Sequence, residues 1–298
     1  MAAIGFDVIH RLIGNKVGIF DVPCPLCGPY KRAARNQRRP VLRIYRIESG
    51  FAGFHCARCG EKGAAFDHNG PPPDQVKLAK VRPDTAERDR VHKAERLRKA
   101  RWLWSQRQPI RHSIAETYLR DARGYRGPLP STLGFLPARG AYPPAMIAAF
   151  GIAHEIETGG LIIHDSAVRG VHLTRLLRDG SGKAVFEDPD ENAKIMIGYS
   201  AGSPIVLAPI NDLLGLATTE GIENGLSTYD ATGLGTWAAG CASRLPALAA
   251  AIDPHVQCVT IITDDDYDGR RHAIALAEQV RARGIEARPI ILARRAAA

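Results

Sequence analysis

An α/β chain in three parts is what this sequence predicts: an N-terminal metal-binding unit, a small mixed α/β basic subdomain, and a C-terminal doubly wound sheet. Two Cys-x-x-Cys-Gly knuckles near the start predict the first part. Short apolar runs between Gly and Pro turns predict the second. From residue 213 onward apolar strands alternate with helices, which is the rhythm of a mainly parallel sheet covered on both faces. The boundaries read as 1–70 for the metal-binding unit, 71–108 for a linker and charged helix, 109–212 for the basic subdomain and 213–298 for the sheet domain.

The knuckles are Cys24-Pro-Leu-Cys27-Gly and Cys56-Ala-Arg-Cys59-Gly. Each tight turn supplies two thiolates, and four converging thiolates are the ligand set of a structural zinc site. Met1 to Phe20 contain Asp7, His10, Arg11 and Lys16 and lack the apolar core of a signal peptide. No run of about 18 apolar residues is present, so no membrane span is expected. The expected compartment is the reducing cytoplasm, where paired cysteines bind metal rather than form disulfides. His55 and His68 are expected to stand outside the ligand set, because four thiolates already complete it.

Net charge is +9 over 298 residues, and it is unevenly spread. From residue 213 on, eight arginines and no lysines face ten carboxylates, so this segment is negative by two and residues 1–212 carry an excess of eleven. A basic front suits phosphates; an acidic back suits a cation. Between the knuckles Lys31, Arg32, Arg35, Arg38, Arg39, Arg43 and Arg46 interleave with Val41, Ile44, Tyr45 and Phe54. That pattern fits single-stranded nucleic acid, held through its phosphates and stacked bases. Arg38, Arg39 and Arg43 are the candidate contacts.

Asn69-Gly70-Pro71-Pro72-Pro73 reads as a linker. Asp84, with Glu87 three residues on, reads as the N-cap of a charged helix reaching about Gln106. Its docking face should be Val91, Ala94, Leu97, Arg101 and Trp104. A short helix over Ile114–Leu119 should follow. In the last part the expected strands are Leu214–Thr219, Thr236–Ala239, Cys258–Thr263 and Glu286–Leu292. The expected helices are Glu223–Thr232, Leu245–Ile252 and Arg270–Arg283.

Two strand ends carry the chemistry. Thr219-Glu220-Gly221 closes one, and Thr263-Asp264-Asp265-Asp266-Tyr267-Asp268-Gly269 closes another. In doubly wound sheets such ends share a rim. Glu220, Asp264 and Asp266 brought together would repel one another unless a divalent cation sat between them, and magnesium suits hard carboxylates. Taken alone, an Asp-rich strand-to-helix turn is also a common helix cap.

Glu220-Gly221 followed by Asp264-x-Asp266-x-x-Gly269 resembles the Toprim signature of primases, topoisomerases and some repair nucleases. Residues 101–293 resemble Toprim-containing, primase-like proteins of phages, plasmids and other mobile elements, and residues 21–60 resemble the zinc ribbon preceding primase catalytic cores. The resemblance implies a DNA primase making short RNA primers on a single-stranded DNA template from nucleoside triphosphates, with a replicative helicase on another chain as partner. It implies Glu220, Asp264 and Asp266 as catalytic magnesium ligands. Through the stretches Val171–Arg175 and Ala193–Gly198 it nominates Arg175 and Lys194 for template or nucleotide, with Lys183 as a third. Two departures accompany it. Asn224 stands where replicative primases have an acid four residues after the glutamate, and the chain ends soon after Leu292 without further aspartates. Fewer carboxylates imply one bound metal rather than two. The alternative expectation is a catalytically weak Toprim and zinc-ribbon DNA-binding protein. A topoisomerase would need a further domain bearing a nucleophilic tyrosine, and Tyr267 in the metal loop is a poor candidate.

Gly180-Ser181-Gly182-Lys183 reads as a hairpin turn, since it lacks the upstream glycine and following Ser or Thr of a phosphate loop. Cys241 and Cys258 are expected as buried apolar side chains, and Trp102, Trp104 and Trp237 as packing anchors.

Overall fold

The computed structural model describes residues 4–30, 34–48, 50–68, 70, 75–157, 160–188 and 191–292. The expected linker at Asn69–Pro73 lies outside these except for Gly70. The chain divides into two units, Met1–Val91 and His92–Ala298. Among the described residues no helix is long and apolar enough to cross a membrane.

In the first unit, helix α1 (Phe6–Ile13) precedes strand β1 (Gly18–Pro23), a short helix α2 (Ala34–Arg38) and strands β2 (Pro40–Glu48), β3 (Phe51–Cys56) and β4 (Lys62–Phe66). The strands form an antiparallel meander in sequence order. Period-two alternation sets its faces. Leu42, Ile44, Ala52 and Phe54 point inward with Ile9 and Ile13 of α1 and the four knuckle cysteines. Arg43 and Tyr45 of β2 and His55 of β3 point outward. Arg46 departs from its basic neighbours: it is buried, stacks 5.0 Å over the Phe6 ring and donates to the Gly14 carbonyl. Its charge serves the fold of this unit rather than its surface.

Helix α3 (Gln75–Ser105) begins nine residues before the expected cap, so Asp84 lies within it. Strong helix formers on both sides, Leu78-Ala79-Lys80 and Ala86-Glu87-Arg88, carry the helix through Pro83, which removes one backbone donor. Among the described residues, the last turns of α3 dock. Ala100 and Trp104 are fully buried against Ile147, Ala149 and Val171, whereas Val91 and Ala94 are exposed, contrary to the expected face. Trp102 is half-exposed and anchors nothing comparable to Trp104 or the buried Trp237.

The second unit continues with α4 (Ile114–Thr117), capped by the Ser113 side chain, and runs straight into a π turn over Tyr118–Ala122. Strands β5 (Leu133–Leu136), β6 (Ala145–Phe150), β7 (His154–Glu157), β8 (Gly160–Ile162), β9 (Gly170–Arg175), β10 (Lys194–Gly198) and β11 (Ile205–Ala208) follow. The expected mixed α/β subdomain carries its main helical part at its start, in α4 and the π turn, and is rich in strands thereafter. Its sheet runs β10-β9-β6-β5, fully antiparallel, with β7 and β8 as a separate hairpin.

Strand β12 (Gly215–Thr219), helix α5 (Ile222–Thr232), β13 (Gly235–Ala238), β14 (Cys258–Asp264), α6 (Tyr267–Arg281) and β15 (Glu286–Leu292) complete the chain. The sheet order is β11-β13-β12-β14-β15, parallel throughout except for β11. Ile222 and Leu226 of α5 pack into a core shared with Met146 and Phe150 of the antiparallel sheet. Leu276, Ala277 and Val280 of α6 enter a different core with Val259 and Ile261. The helices thus cover opposite faces, as a doubly wound sheet requires. The expected helix over Leu245–Ile252 is instead 3-10 over Ala242–Arg244 and Pro246–Ala251. The stretch closes i to i+3 bonds such as Leu248 N–H to the Leu245 carbonyl, and Pro246 at its centre supplies no backbone donor. Cys241 and Cys258 are half-buried rather than buried.

Candidate active site and metal centre

The four knuckle cysteines are all buried, and their sulfurs lie within 4.8 Å of one another. Cys24 and Cys59 are 3.9 Å apart, Cys27 and Cys56 3.8 Å. Sulfurs about 2.3 Å from a zinc ion stand about 3.8 Å apart at tetrahedral angles, so the cage fits the metal. The thiols cannot all ionise unaided. Hydrogen bonding to Cys56 and Cys59 drives the Cys24 thiol up, burial lifts Cys27 to about 11, and Cys56, which accepts from Cys24, falls to about 2. A divalent cation removes that conflict. Among the described residues no other group of three or more His, Cys, Asp or Glu ligand atoms lies this close.

On the outer face of the meander Arg43 makes a bidentate pair with Asp21, at 2.8 and 2.7 Å, and Tyr45 lies beside it in sequence with its side chain partly exposed. Arg38, the last residue of α2, and Arg39 just after it are exposed. The three arginines nominated from sequence are thus at the surface, and Arg43 is held there by Asp21.

In the second unit, β12 and β14 are direct neighbours, with Thr219 opposite Ile262. Strand β14 runs two residues further, so Glu220 meets the end of β14. Its Oε1 accepts from the Thr263 hydroxyl and, at 3.2 Å, from the Asp264 N–H. Burial raises the Glu220 pKa, and the charges of Asp264 and Asp266 push the same way. Asp264 is exposed at this rim, and its Oδ1 accepts from Asn224 Nδ2 at 3.2 Å. Asp266 caps α6, accepting from the Gly269 N–H at 2.8 Å. Glu220 and Asp264 are therefore brought together, while Asp266 stands close enough to act on Glu220 but turns its Oδ1 to the helix. The hard carboxylates of Glu220 and Asp264 fit a magnesium ion, which would relieve the charge that raises Glu220.

Gly269 is required here. A Cβ on it would sit 2.7 Å from Glu220 Oε1 and 2.7 Å from the Asp264 carbonyl, against the Thr263 hydroxyl.

Sequence reasoning missed Glu223. Its side chain is 6% exposed, and it pairs with Lys183 Nζ at 2.7 Å and Lys194 Nζ at 3.2 Å. It also accepts from the Tyr118 hydroxyl at 2.9 Å. Burial alone would raise its pKa, but Lys194 and Lys183 hold it well below the carboxylate range. Burial lowers Lys183, and burial together with Glu223 raises Tyr118. Glu223 reads in sequence only as an acid in the first turn of α5; its repeat of Glu220 three residues on was the one available signal. Lys183 and Lys194, nominated from sequence, are brought together by it. Lys183 reaches it from the far side of the expected turn, where Leu177 N–H bonds the Gly182 carbonyl. The third nominee is differently employed. The Arg175 guanidinium bonds the Asn192 carbonyl, pairs with Glu191 at 2.8 Å and stacks 3.8 Å from Phe186, so it holds the loop leading into β10.

Residues 216–296 match the family model described as the Toprim domain, and residues 94–207 match one described as a domain of unknown function, DUF7146. No curated protein matches the chain. A solved structure, the zinc-binding and RNA polymerase domains of the Aquifex aeolicus primase, aligns over 96% of this chain and 76% of its own, at 16% identity and a TM-score of 0.38. The strand-end acids, the mostly parallel sheet and the family match converge: the C-terminal part of this chain is a Toprim domain, and a four-cysteine, zinc-ribbon-like unit precedes it.

Proposed function

We propose that the chain is a primase-type nucleotidyltransferase, making short RNA primers on single-stranded DNA from nucleoside triphosphates. On this reading Glu220, Asp264 and Asp266 hold magnesium, and the zinc unit carries the template on Arg38, Arg39, Arg43 and Tyr45. Lys183 and Lys194 steady the nucleotide phosphates, with Arg175 fixing the loop before Lys194. A replicative helicase on another chain is the partner such a primer-maker needs. The carrying observation is the meeting of Glu220 with Asp264 at adjoining strand ends of a Toprim domain. The primase alignment supplies a comparison and no weight at its TM-score.

A bound magnesium ion supplies charge neutralisation at the phosphates and a lowered pKa for an attacking hydroxyl. The protein's own share is position. Burial raises the Glu220 carboxyl, and its Oε1 is held in place by the Thr263 hydroxyl and the Asp264 N–H. The test is ribonucleotide incorporation on single-stranded DNA by zinc-loaded protein. Incorporation should require magnesium, and Glu220→Gln should lower it by about a hundredfold or more. Absence of primer on every template, with no effect of Glu220→Gln on any magnesium-dependent signal, refutes the reading.

Asn224 favours a second reading. A neutral amide donating to Asp264 replaces a carboxylate at the rim, and Asp266 is engaged as a cap. Both features suit a Toprim protein that binds DNA in replication or recombination with weak chemistry. Single-stranded DNA binding that survives Glu220→Gln, in a protein that never primes, selects it.

A further inference from the structure

Glu223 has more positive charge around it than its own neutralisation needs. One lysine would balance a buried carboxylate, yet Lys183 and Lys194 both reach it, and Tyr118 adds a hydroxyl. Buried pairs contribute little net stability against apolar replacements, so a surplus cation is poorly explained by folding alone. The exposures show which group faces outward: the Glu223 side chain is 6% exposed, those of Lys183 and Lys194 are 32% and 39%. The carboxylate stands behind and the ammoniums in front. Each ammonium has three donors and gives one to Glu223, leaving others for a ligand. Lys194 also lies against the turn that bears Glu220, since a Cβ on Gly221 would sit 3.8 Å from its Nζ and 3.5 Å from Glu223 Oε2.

We propose that Glu223 is a positioning residue: held by Tyr118, it aims Lys183 and Lys194 as a two-ammonium clamp for a polyphosphate chain beside the Glu220 rim. The nucleotidyl-transfer reading supplies the identity of the ligand, a nucleoside triphosphate; the clamp itself requires only linked phosphates. Without Glu223 the two like charges would repel and their long side chains would sample separate rotamers, so the geometry would be lost although the net charge rose. Tyr118 is placed for its part by the π turn that begins at it, a local insertion that turns its ring toward α5.

The experiment is equilibrium binding of inorganic tripolyphosphate to the full zinc-loaded chain, with magnesium omitted. Wild-type protein should bind it. Glu223→Gln should weaken binding about tenfold, and Tyr118→Phe about threefold because the hydroxyl acts on the lysines only through Glu223. In a Lys183→Met, Lys194→Met background neither change should weaken binding further, because both act through the lysines. A purely structural role would give additive losses instead. Tyr118→Phe keeps the ring and its packing, so it reports even where Glu223→Gln folds poorly. The proposal is overturned if wild-type protein does not bind tripolyphosphate, if Tyr118→Phe binds as wild type, or if Glu223→Gln binds as well or more tightly. Tighter binding is what a carboxylate merely competing with the ligand would give. Ribonucleotide incorporation is read separately: a working clamp in a protein that makes no primer refutes nucleotidyl transfer alone.

Discussion

Asn224 and His172 show how far single residues set the behaviour of the rim. Asn224 donates to Asp264, which spares the site a further negative charge when no cation is bound. Asn224→Asp should therefore lower the metal-free melting temperature and raise magnesium affinity, by about three- to tenfold, as one more carboxylate joins the site. Calorimetric titration with magnesium and thermal melts in chelator check both signs. His172 is buried on β9, with Lys194, Lys183 and Arg244 opposing its protonation and Glu223 favouring it; burial dominates and lowers it to about 4. The unfolded chain, with an ordinary histidine, binds more protons between that value and about 6.5. The stability His172 contributes is thus complete above about 6.5 and lost as pH falls toward 4, about 3 kcal/mol in all. Glu223, also depressed, adds a loss of the same sign at lower pH, below the ordinary carboxylate range. Denaturant melts from pH 7 to 4 should show the decline, and His172→Phe should flatten its upper part. The sequence made Glu220 and Asp264 legible because each lies in a short local motif at a strand end, while Lys194 was nominated only through the resemblance. Glu223 and Tyr118 were not legible, because 105 positions separate the two and only packing joins them.

At the scale of elements, the strand-to-helix turns decide the site. Strand β14 outruns β12, and α6 must start within contact of Glu220, which leaves no room for a Cβ at Gly269. Gly269→Ala should destabilise the protein by about 1–3 kcal/mol, the usual cost of overpacking. Because the displaced atoms include Glu220 Oε1, magnesium-dependent incorporation should fall more steeply than stability. Denaturant midpoints and incorporation rates measured on one preparation separate the two. Most strands of the sheet were legible from apolar runs. The failures were of another kind: α3 extends past the Pro83-Asp84 signal because flanking helix formers outweigh one missing donor, and residues 242–251 stay 3-10 with Pro246, which has no backbone donor, in their middle. Helical spacing named Val91, Ala94, Leu97, Arg101 and Trp104 as the docking face, but whether a face docks depends on what lies opposite: Val91 and Ala94 are exposed, whereas Trp104 is buried with Ala100 and Arg101 donates to the Ser166 and Val168 carbonyls.

Over the whole molecule, two units carry different means of stabilisation. The Met1–Val91 unit has a small core in which the four cysteines count among the buried residues, so its folding should depend on zinc. Among the described residues, the His92–Ala298 unit has three apolar cores of its own. Chelation should therefore melt the first unit and expose four reactive thiols while the second keeps a separate, cooperative transition. Circular dichroism with thiol titration resolves the two events, and a single transition lost as a whole would contradict them.

The sequence by itself determined the zinc knuckles, the strand–helix rhythm of the last domain and the two acidic strand ends, since each rests on residues adjacent or regularly spaced along the chain. Only the tertiary structure decided that Asp266 caps a helix, that Arg175 grips its own loop, and that Glu223 gathers two lysines from separate strands and turns. Those roles depend on which side chains meet across the fold, and burial there decides whether a charge is exposed to a ligand or consumed by a neighbour.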